Sequence, residues 1–402
     1  MKNETRVMGK TKRPVPHSGY FTDMTRAIMA AGITGPRIII DLDRVDENIE
    51  RLRLQLPPEM KVRVSVKAVP SIPLIATALN AFDSDRVMVF NLQMAETLDG
   101  AIPGLDMLFG KPQLGNTLRA WLAKPRQTDP VWLIDSMERL EEFHTIAVAH
   151  GRKIRVALEI DIGLHRGGFS ADDTLRAALK RGQEMQALEI VGYHGYESHI
   201  VKVPILFGLR RKAVDQSATL YRAANEIYRE VMGEMPRLRN AGGSMTFQFY
   251  NDTSIANEVS IGSAFIKPTE FDIPSIGALR GAAFIAAPVL KAIDGLVLPG
   301  LPNWFANLWA RLSPHRRQTL FIHGGNWLAE PESPYDLRPN PLVGRSSNQE
   351  MLNCGVRRRF RADDFVFFRP RVSEVVLGQF GDLMIYRDGQ IVDQWPVFSA
   401  AP

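Results

Sequence analysis

The amino-acid sequence predicts an α/β protein in which a closed (β/α)8 barrel of the TIM-barrel type is followed by a mainly β domain. From Arg37 to about residue 241, short apolar segments typical of buried strands alternate with segments of helical spacing, in about eight units. After Asp272, strand-like segments follow one another without helices between them. An open doubly wound sheet is the alternative for the first part. The lack of a Gly-x-Gly-x-x-Gly motif after the first strand favours the barrel.

The predicted barrel strands are short and rich in Val, Ile and Leu, as expected for parallel strands that helices cover. We expect these strands at Arg37–Asp41, Val62–Val66, Arg86–Phe90, Met107–Phe109, Val131–Ile134, Ile154–Ile160, Leu188–Tyr193 and Leu238–Ala241. Helices are expected between them at Val45–Leu56, Ile72–Ala81, Leu92–Leu98, Thr117–Leu122, Met137–His150, Asp173–Arg181 and from about Lys212 to Met232.

The chain is thus predicted to have three parts. Residues 1–36 form an irregular leader with one short helix, and the Gly35-Pro36 pair ends it. Residues 37–272 form the barrel, and residues 273–402 form the C-terminal β domain, which carries an aromatic insertion at about 296–316. Strands of this domain are expected at Ala282–Val289, Thr319–Ile322, Phe365–Phe368, Leu383–Tyr386 and Ile391–Trp395, the last two joined by the hairpin turn Arg387-Asp388-Gly389.

The composition is that of a globular protein, because 45% of the 402 residues are hydrophobic and 23% are charged. The net charge of +5 is spread along the chain without zinc-finger spacing or a basic block, so we expect no nucleic-acid partner. A single cysteine, Cys354, excludes an intrachain disulfide and fits a reducing, cytoplasmic location. No apolar segment follows the basic N-terminus and no run of 18 apolar residues occurs, which predicts neither a secretion signal nor a membrane span.

Reactive groups are expected at the C-terminal ends of the barrel strands, where the active sites of such barrels lie. Lys67 directly follows the strand Val62–Val66. An amine beside apolar neighbours loses its proton at lower cost, which makes it suited to form a Schiff base with a carbonyl compound. A lysine at a strand end is otherwise a plain surface cation, so a catalytic Lys67 depends on the motifs around it.

Further loops supply polar groups at the same end of the barrel. The segment Glu159–Gly168 brings acids, bases and glycines together after a strand. The segment Tyr193–His199 holds His194 and His199, whose imidazoles suit acid–base chemistry or stacking on a planar ring. Glycines with hydroxyls at a late strand end suit phosphate binding, although a simple turn would have the same composition. This predicted glycine–serine cradle comprises Gly242, Gly243, Ser244, Gly262 and Ser263.

In their residue types and their order along the chain, these motifs resemble those of the D-threonine aldolase and D-serine dehydratase family. This family shares the alanine racemase-type barrel of fold-type III pyridoxal-phosphate enzymes. The resemblance extends from about Pro36 to Phe398. Its opening appears in Ile40-Asp41-Leu42-Asp43 and Asn48-Ile49. Five further segments have family counterparts, which are Arg63–Pro70, Glu159–Gly168, Tyr193–Gly195, Gly242–Thr246 and Glu258–Ala264.

The resemblance implies roles for individual residues. It makes Lys67 the residue that holds pyridoxal 5'-phosphate, with Arg63 in support. It implies further cofactor contacts by Arg166, Tyr193 and His194, and phosphate contacts by the glycine–serine cradle. It also implies a homodimer, in which the C-terminal domain completes the site.

The sequence departs from the family at the metal site. The family's Pro-Asn-His-x-Cys motif corresponds to Pro370–Glu374, where Val372 replaces the histidine and Glu374 replaces the cysteine. A valine side chain cannot ligate a metal, so we expect no divalent metal here. Ala264 replaces the tyrosine that ends the family motif matched by Glu258–Ala264, and Ser65 replaces the family's histidine two residues before the cofactor lysine.

The function that the resemblance implies is that of a pyridoxal-phosphate-dependent lyase, an aldolase or dehydratase acting on a D-3-hydroxy amino acid. Lys67 would then act as the base at Cα, and His194 or His199 would serve the hydroxyl. An amino-acid racemase or epimerase is the alternative, and it needs a second acid–base group that the sequence does not identify. Two further alternatives are a non-catalytic pyridoxal-phosphate carrier and a metal-dependent sugar-phosphate isomerase on the same barrel.

Overall fold

The computed structural model describes residues 19–295, 317–340, 343–355 and 359–399. The described chain begins with helix α1 (Tyr20–Ala30) and strand β1 (Arg37–Asp41). Within the described ranges, the next eight strands pair in parallel, each with its neighbour in the chain, and close into a barrel, which confirms the predicted fold class. They are β2 (Lys61–Ser65), β3 (Arg86–Val89), β4 (Asp106–Phe109), β5 (Val131–Ile134), β6 (Ile154–Glu159), β7 (Leu188–His194), β8 (Leu238–Ala241) and β9 (Glu258–Ile261).

Helices alternate with these strands, and several begin at a side chain that caps the first turn. Asp41 accepts a hydrogen bond from the Arg44 N–H (3.0 Å), and Asn91 accepts one from the Met94 N–H (2.8 Å). Such caps end a strand and start a helix within a few residues, which keeps the strand ends at one rim. The helices are α2 (Leu42–Arg53), α3 (Ile72–Phe82), α4 (Leu92–Ala101), α5 (Gly115–Leu122), α6 (Met137–Ala149), α7 (Asp173–Glu184) and α8 (Leu209–Met232).

A second sheet forms the C-terminal domain, with nine strands in the described part of the chain. Besides β1, its strands are β10 (Ala283–Asp294), β11 (Gln318–His323), β12 (Ala329–Ser333), β13 (Arg338–Pro339), β14 (Gln349–Cys354), β15 (Phe365–Pro370), β16 (Leu383–Arg387) and β17 (Gln390–Trp395). They pair in the order β13-β14-β11-β10-β1-β16-β17, and β15 pairs with β10 and β12. All five predicted strands are present, and a short helix, α9 (Ser373–Val376), follows β15.

Strand β1 forms as predicted, but it lies in this second sheet and not in the barrel. It pairs antiparallel with β10 and parallel with β16. The eighth barrel strand is β9, which was not predicted as a strand and which closes the barrel against β2. Ile39 packs with α1 while Ile38 and Ile40 face the main core, so β1 is apolar on both faces. That pattern is the same for a barrel strand and for a covered sheet strand, which is why the sequence did not separate them.

The barrel interior has an apolar and a charged layer. Met88, Leu108, Val131, Leu133, Ala157, Val191 and Leu238 form one apolar cluster. Near the N-terminal ends of the strands, the first residues of β3, β4 and β9 are Arg86, Asp106 and Glu258, and they surround the buried Arg63. The barrel interior is thus filled by side chains of the described residues, as is usual for such barrels.

Among the helices of the described residues, none has the length and apolar character that a membrane crossing requires. The insertion at 296–316, predicted from Trp304, Phe305 and Trp309, lies outside the described residues.

Candidate active site

A cavity of about 140 Å³ lies at the C-terminal rim of the barrel. Side chains that follow β2, β6, β7, β8 and β9 line it, together with Glu374 from α9 of the C-terminal domain. Of the predicted site residues, the fold brings Lys67, Arg166 and His194 to this cavity, along with the whole glycine–serine cradle. Segments far apart in the sequence therefore meet where the barrel architecture predicts a site.

Lys67 lies in a single 3-10 turn, Val66–Ala68, directly after β2. Val66 and Ala68 are buried, whereas the Lys67 side chain is 39% exposed and extends into the cavity. Its Nζ lies 4.5 Å from the centre of the Phe90 ring and 3.6 Å from Oε1 of Glu374. The amine is thus held between an apolar ring and a single carboxylate, and it is accessible to a ligand.

The two parts of the glycine–serine cradle are joined by Ser244. Its hydroxyl accepts hydrogen bonds from the N–H groups of Gly262 (3.0 Å) and Ala264 (3.2 Å). A Cβ at Gly262 would lie 2.6 Å from the Ser65 carbonyl oxygen, so only glycine can lie this close to the end of β2. Backbone N–H groups and short hydroxyls gathered without a bulky side chain are the donors that bind a phosphate.

Beneath this cradle lies Glu197, a fully buried carboxylate that the sequence analysis did not single out. Thr246 Oγ1 and Tyr250 OH donate hydrogen bonds to it, and so does the Gly242 N–H (3.3 Å). Burial raises the pKa of Glu197 to about 6. The one signal in the sequence was its position between the two histidines of Tyr193–His199.

His194 is the last residue of β7 and forms part of the cavity floor, with 3% of its surface exposed. Burial lowers its pKa to about 4, so the imidazole is neutral at neutral pH. Nδ1 lies 2.6 Å from the Asn240 amide oxygen, and the Asn240 amide nitrogen donates to Glu258. An amide oxygen only accepts, so Nδ1 carries the proton and Nε2 is the free acceptor.

Arg63 does not line the cavity, contrary to its predicted contact with the cofactor. It is fully buried in the charged layer, where it donates to both oxygens of Glu258 (2.6 and 3.0 Å) and to Asp106 (3.0 Å). Burial would lower its pKa, but the two carboxylates more than offset this effect and raise it. Arg63 therefore acts at a distance, through Glu258 and Asn240, on the orientation of His194.

Tyr193 and His199 also lie away from the cavity. Side chains alternate along a strand, so Tyr193 points out of the barrel where its neighbour His194 points in. The Tyr193 hydroxyl donates to the Ala224 carbonyl on α8 (2.5 Å). His199 lies instead near the charges of Asp161 and His165, and burial lowers its pKa.

Arg166 and Tyr196 form one wall of the cavity. The Arg166 guanidinium lies 5.3 Å from the centre of the Tyr196 ring and donates to Glu159 (3.0 Å). Burial raises the pKa of Tyr196, and the nearby carboxylates of Glu197 and Glu374 add to this effect. The sequence analysis noted Arg166 but assigned no role to Tyr196.

The C-terminal domain contributes Glu374 to the cavity. Its Oε2 accepts a hydrogen bond from Ser373 Oγ (3.2 Å), and Ser373 Oγ lies 3.3 Å from Ser263 Oγ of the cradle. Within the ranges that the structure describes, no group of three or more His, Cys, Asp or Glu side chains could hold a metal ion. The charged group facing Glu374 is the Lys67 amine, and a cation next to the carboxylate does not suit a second cation. The carboxylate at the position of the family's cysteine thus pairs with a lysine amine in this structure.

A larger groove, of about 1960 Å³, lies between the barrel and the C-terminal sheet. Its buried lysine, Lys267, donates to the Leu279 carbonyl (2.7 Å), and its buried Arg369 pairs with Asp272. These cations are occupied by protein groups, so the small cavity around Lys67 is the better candidate for covalent chemistry.

Comparison with known proteins shows which family the chain belongs to. In sequence, 141 residues are 30% identical to D-threo-3-hydroxyaspartate dehydratase of Delftia sp. (strain HT23), over 35% of this chain and 37% of that protein. A further 29% identity over 149 residues relates 36% of the chain to 38% of the alanine racemase of Limosilactobacillus reuteri (strain DSM 20016). The matched segments thus span little more than a third of the length of either relative.

Among solved structures, D-threonine aldolase from Filomicrobium marinum is similar with a TM-score of 0.72 and 15% identity, covering 91% of this chain and 97% of that one. The alanine racemase of Clostridium difficile 630 gives 0.68 and 12%, covering 90% and 98%. Identities this low show a shared fold. The family model for "Alanine racemase, N-terminal domain" matches residues 40–269, which is more than half of the chain and includes every barrel strand. The chain therefore belongs to the alanine racemase N-terminal domain family.

Proposed function

We propose that the chain is a pyridoxal-phosphate-dependent lyase that acts on a small D-3-hydroxy amino acid. The observation that carries this proposal is that the Lys67 amine and the glycine–serine cradle open onto the same cavity. An amine that can hold a carbonyl compound and donors that can hold its phosphate are the two requirements of this cofactor. The names of two relatives, a 3-hydroxyaspartate dehydratase and a D-threonine aldolase, support the substrate class.

The residues of the cavity fit the cofactor. Lys67 would hold it covalently, the glycine–serine cradle would bind its phosphate, and His194 would offer it a neutral imidazole at the cavity floor. When bound, pyridoxal phosphate withdraws electrons from the bonds at Cα of an attached amino acid. The chain itself then has to move protons, and Lys67 would take the proton from Cα.

A racemase is the second candidate, because relatives of that name share the fold. Racemisation needs two acid–base groups on opposite faces of Cα, and groups that each approach within about 3 Å would then lie about 6 Å apart. Lys67 Nζ and Glu374 Oε1 are 3.6 Å apart, which is too close for Glu374 to be the second group of a racemase. The relatives named as a dehydratase and an aldolase support the lyase.

The test is reconstitution with pyridoxal phosphate followed by borohydride reduction and peptide mass spectrometry. We expect a reduced cofactor adduct on Lys67 in the native protein and in the control Lys153→Ala, which changes an exposed lysine, and none in Lys67→Ala. The proposal would be refuted if the native protein formed no adduct on Lys67, or if Lys67→Ala formed as much adduct as the native protein.

Products then separate the candidate reactions. With D- and L-3-hydroxy amino acids, a dehydratase yields a 2-oxo acid and ammonia, and an aldolase yields glycine and an aldehyde. Formation of the opposite enantiomer alone would establish the racemase instead, and an adduct without any turnover would indicate a carrier.

A further inference from the structure

Glu374 is a carboxylate at the cavity for which the proposed function gives no role. It is carried by α9 of the C-terminal domain, and its side chain is 30% exposed. Its two oxygens have different neighbours, since Oε1 lies 3.6 Å from Lys67 Nζ and Oε2 accepts a hydrogen bond from Ser373. Ser373 is itself fully buried, so this hydrogen bond holds the carboxylate in place.

One oxygen of Glu374 faces the Lys67 amine, and the other is held by Ser373 next to the glycine–serine cradle. The carboxylate shares the cavity with Lys67, the residue that would take the proton from the amino acid's Cα. An oxygen 3.6 Å from the amine lies within a short movement of proton-transfer distance, which is about 2.6–3.2 Å.

Other lining groups are less suited to hand over a proton. His194 has Nδ1 engaged by Asn240 at the cavity floor, and its imidazole is neutral. The Arg166 guanidinium is engaged by a hydrogen bond to Glu159. Tyr196, whose pKa is raised by burial, is the remaining acid and thus the rival to test.

We propose that Glu374 is the catalytic acid that protonates the β-hydroxyl of the substrate as it leaves. The proposal rests on the proposed lyase function and specifies the dehydratase reaction. It assigns the acid to the C-terminal domain, whereas the base and the phosphate cradle belong to the barrel. Assistance by a carboxylic acid also explains how this site could expel hydroxide without a metal ion.

The reaction balances with water as the only co-reactant. Lys67 takes the Cα proton, the electrons of that bond form the Cα–Cβ double bond, and the Cβ–O bond breaks. Lys67 passes this proton to Glu374 across the 3.6 Å separation, and Glu374 gives it to the departing hydroxyl, which leaves as water. The resulting enamine shifts a proton from its nitrogen to Cβ. Water then hydrolyses the imine so formed to a 2-oxo acid and ammonia.

The test compares leaving groups that do and do not need a proton. D-Serine loses hydroxide, which needs an acid, whereas D-3-chloroalanine loses chloride, which does not. We expect Glu374→Gln to lower 2-oxo acid formation from D-serine by about 10²–10⁴-fold and to leave the reaction of D-3-chloroalanine nearly unchanged. Assays contain EDTA, so that a metal ion cannot supply the same assistance.

Two readouts do not depend on elimination. We expect the Glu374→Gln protein still to form the reduced cofactor adduct on Lys67. We also expect it to catalyse the exchange of the Cα hydrogen of D-serine with deuterium from the solvent, which NMR measures. Glu270→Gln, which removes an exposed carboxylate that pairs with Arg371, is the control and should behave as the native protein.

Several outcomes would overturn the proposal. Equal loss on both substrates would make Glu374 a positioning residue, and no loss on D-serine would exclude it altogether. Loss of activity in EDTA would assign the role to a metal ion. The same leaving-group dependence in Tyr196→Phe and not in Glu374→Gln would assign it to the tyrosine. A native protein without adduct or turnover would refute the underlying function, and this inference with it.

Discussion

Glu197 is a buried carboxyl group whose ionisation lowers the free energy of unfolding. Its pKa is raised by burial from 4.5 to about 6, so the folded state binds its proton more tightly than the unfolded state. The contribution of this group is therefore most favourable below pH 4.5 and is lost as the pH rises through 6, by about 2 kcal/mol in total.

We expect the stability difference between the native protein and Glu197→Gln to shift in favour of the variant by about 2 kcal/mol as the pH rises through this window. Urea unfolding between pH 4.5 and 7.5 measures it. The control Glu141→Gln removes an exposed carboxylate whose pKa is lowered by its hydrogen bond to Arg181, so its difference should not move in that direction. A difference for Glu197→Gln that does not vary with pH would contradict the assignment.

At the scale of single residues, the motifs located the cavity better than they identified the contacts. Lys67, His194 and Ser244 lie where strand ends predicted them. Tyr193 was expected beside His194, but adjacent strand residues face opposite sides, and the sequence does not say which one faces inward. The place of Glu374 beside Lys67 follows from packing between domains, which no local pattern records.

The hairpin between β16 and β17 is the element whose local sequence was most informative. Tyr386 pairs with Ile391 and Arg387 with Gln390, so Asp388 and Gly389 form a two-residue turn. Both have positive φ, 50° and 80°, as the turn predicted from Asp-Gly requires.

We expect Gly389→Ala to lower the free energy of unfolding by about 1–2 kcal/mol, because a Cβ disfavours the left-handed backbone. No atom lies within 4 Å of the added Cβ, so the effect is one of backbone strain and not of collision. Gly100→Ala, in helix α4 with equally open space, is the control and should be neutral or slightly stabilising. Equal urea midpoints for the two variants would contradict this explanation.

Strands β12 and β14 were missed because their sequences lack an apolar pattern. In β14, Glu350 and Asn353 are buried polar residues that gain partners only in the fold. The Asn353 amide donates to Thr319 on β11 (3.1 Å), and Glu350 accepts from the Asn326 N–H (2.8 Å). Hydrogen bonds between distant segments thus compensate for burial that composition alone argues against.

For the molecule as a whole, the charged layer spans the seam where the barrel closes. Arg63 lies on β2 and Glu258 on β9, the two strands whose pairing completes the circle. We expect Arg63→Met to destabilise the protein by about 3 kcal/mol, because it leaves a buried carboxylate with Arg86 as its remaining charged partner.

Chemical unfolding at neutral pH measures this loss. Arg229→Met, which removes an exposed pair with Glu226 on α8, is the matched control and should change stability by less than about 1 kcal/mol. Similar small effects for both variants would show that the buried pair does not hold the seam.

The sequence by itself determined the alternation of strands and helices, the change to β structure after the barrel, and the lysine and glycine–serine motifs, because periodicity and turn chemistry are local. Only the tertiary structure decided that β1 joins the C-terminal sheet, that β9 closes the barrel, and that Arg63 lies beneath the site. Only it placed Glu374 opposite Lys67. These facts depend on which distant segments pair and pack, and two segments with the same local pattern can differ completely in that respect.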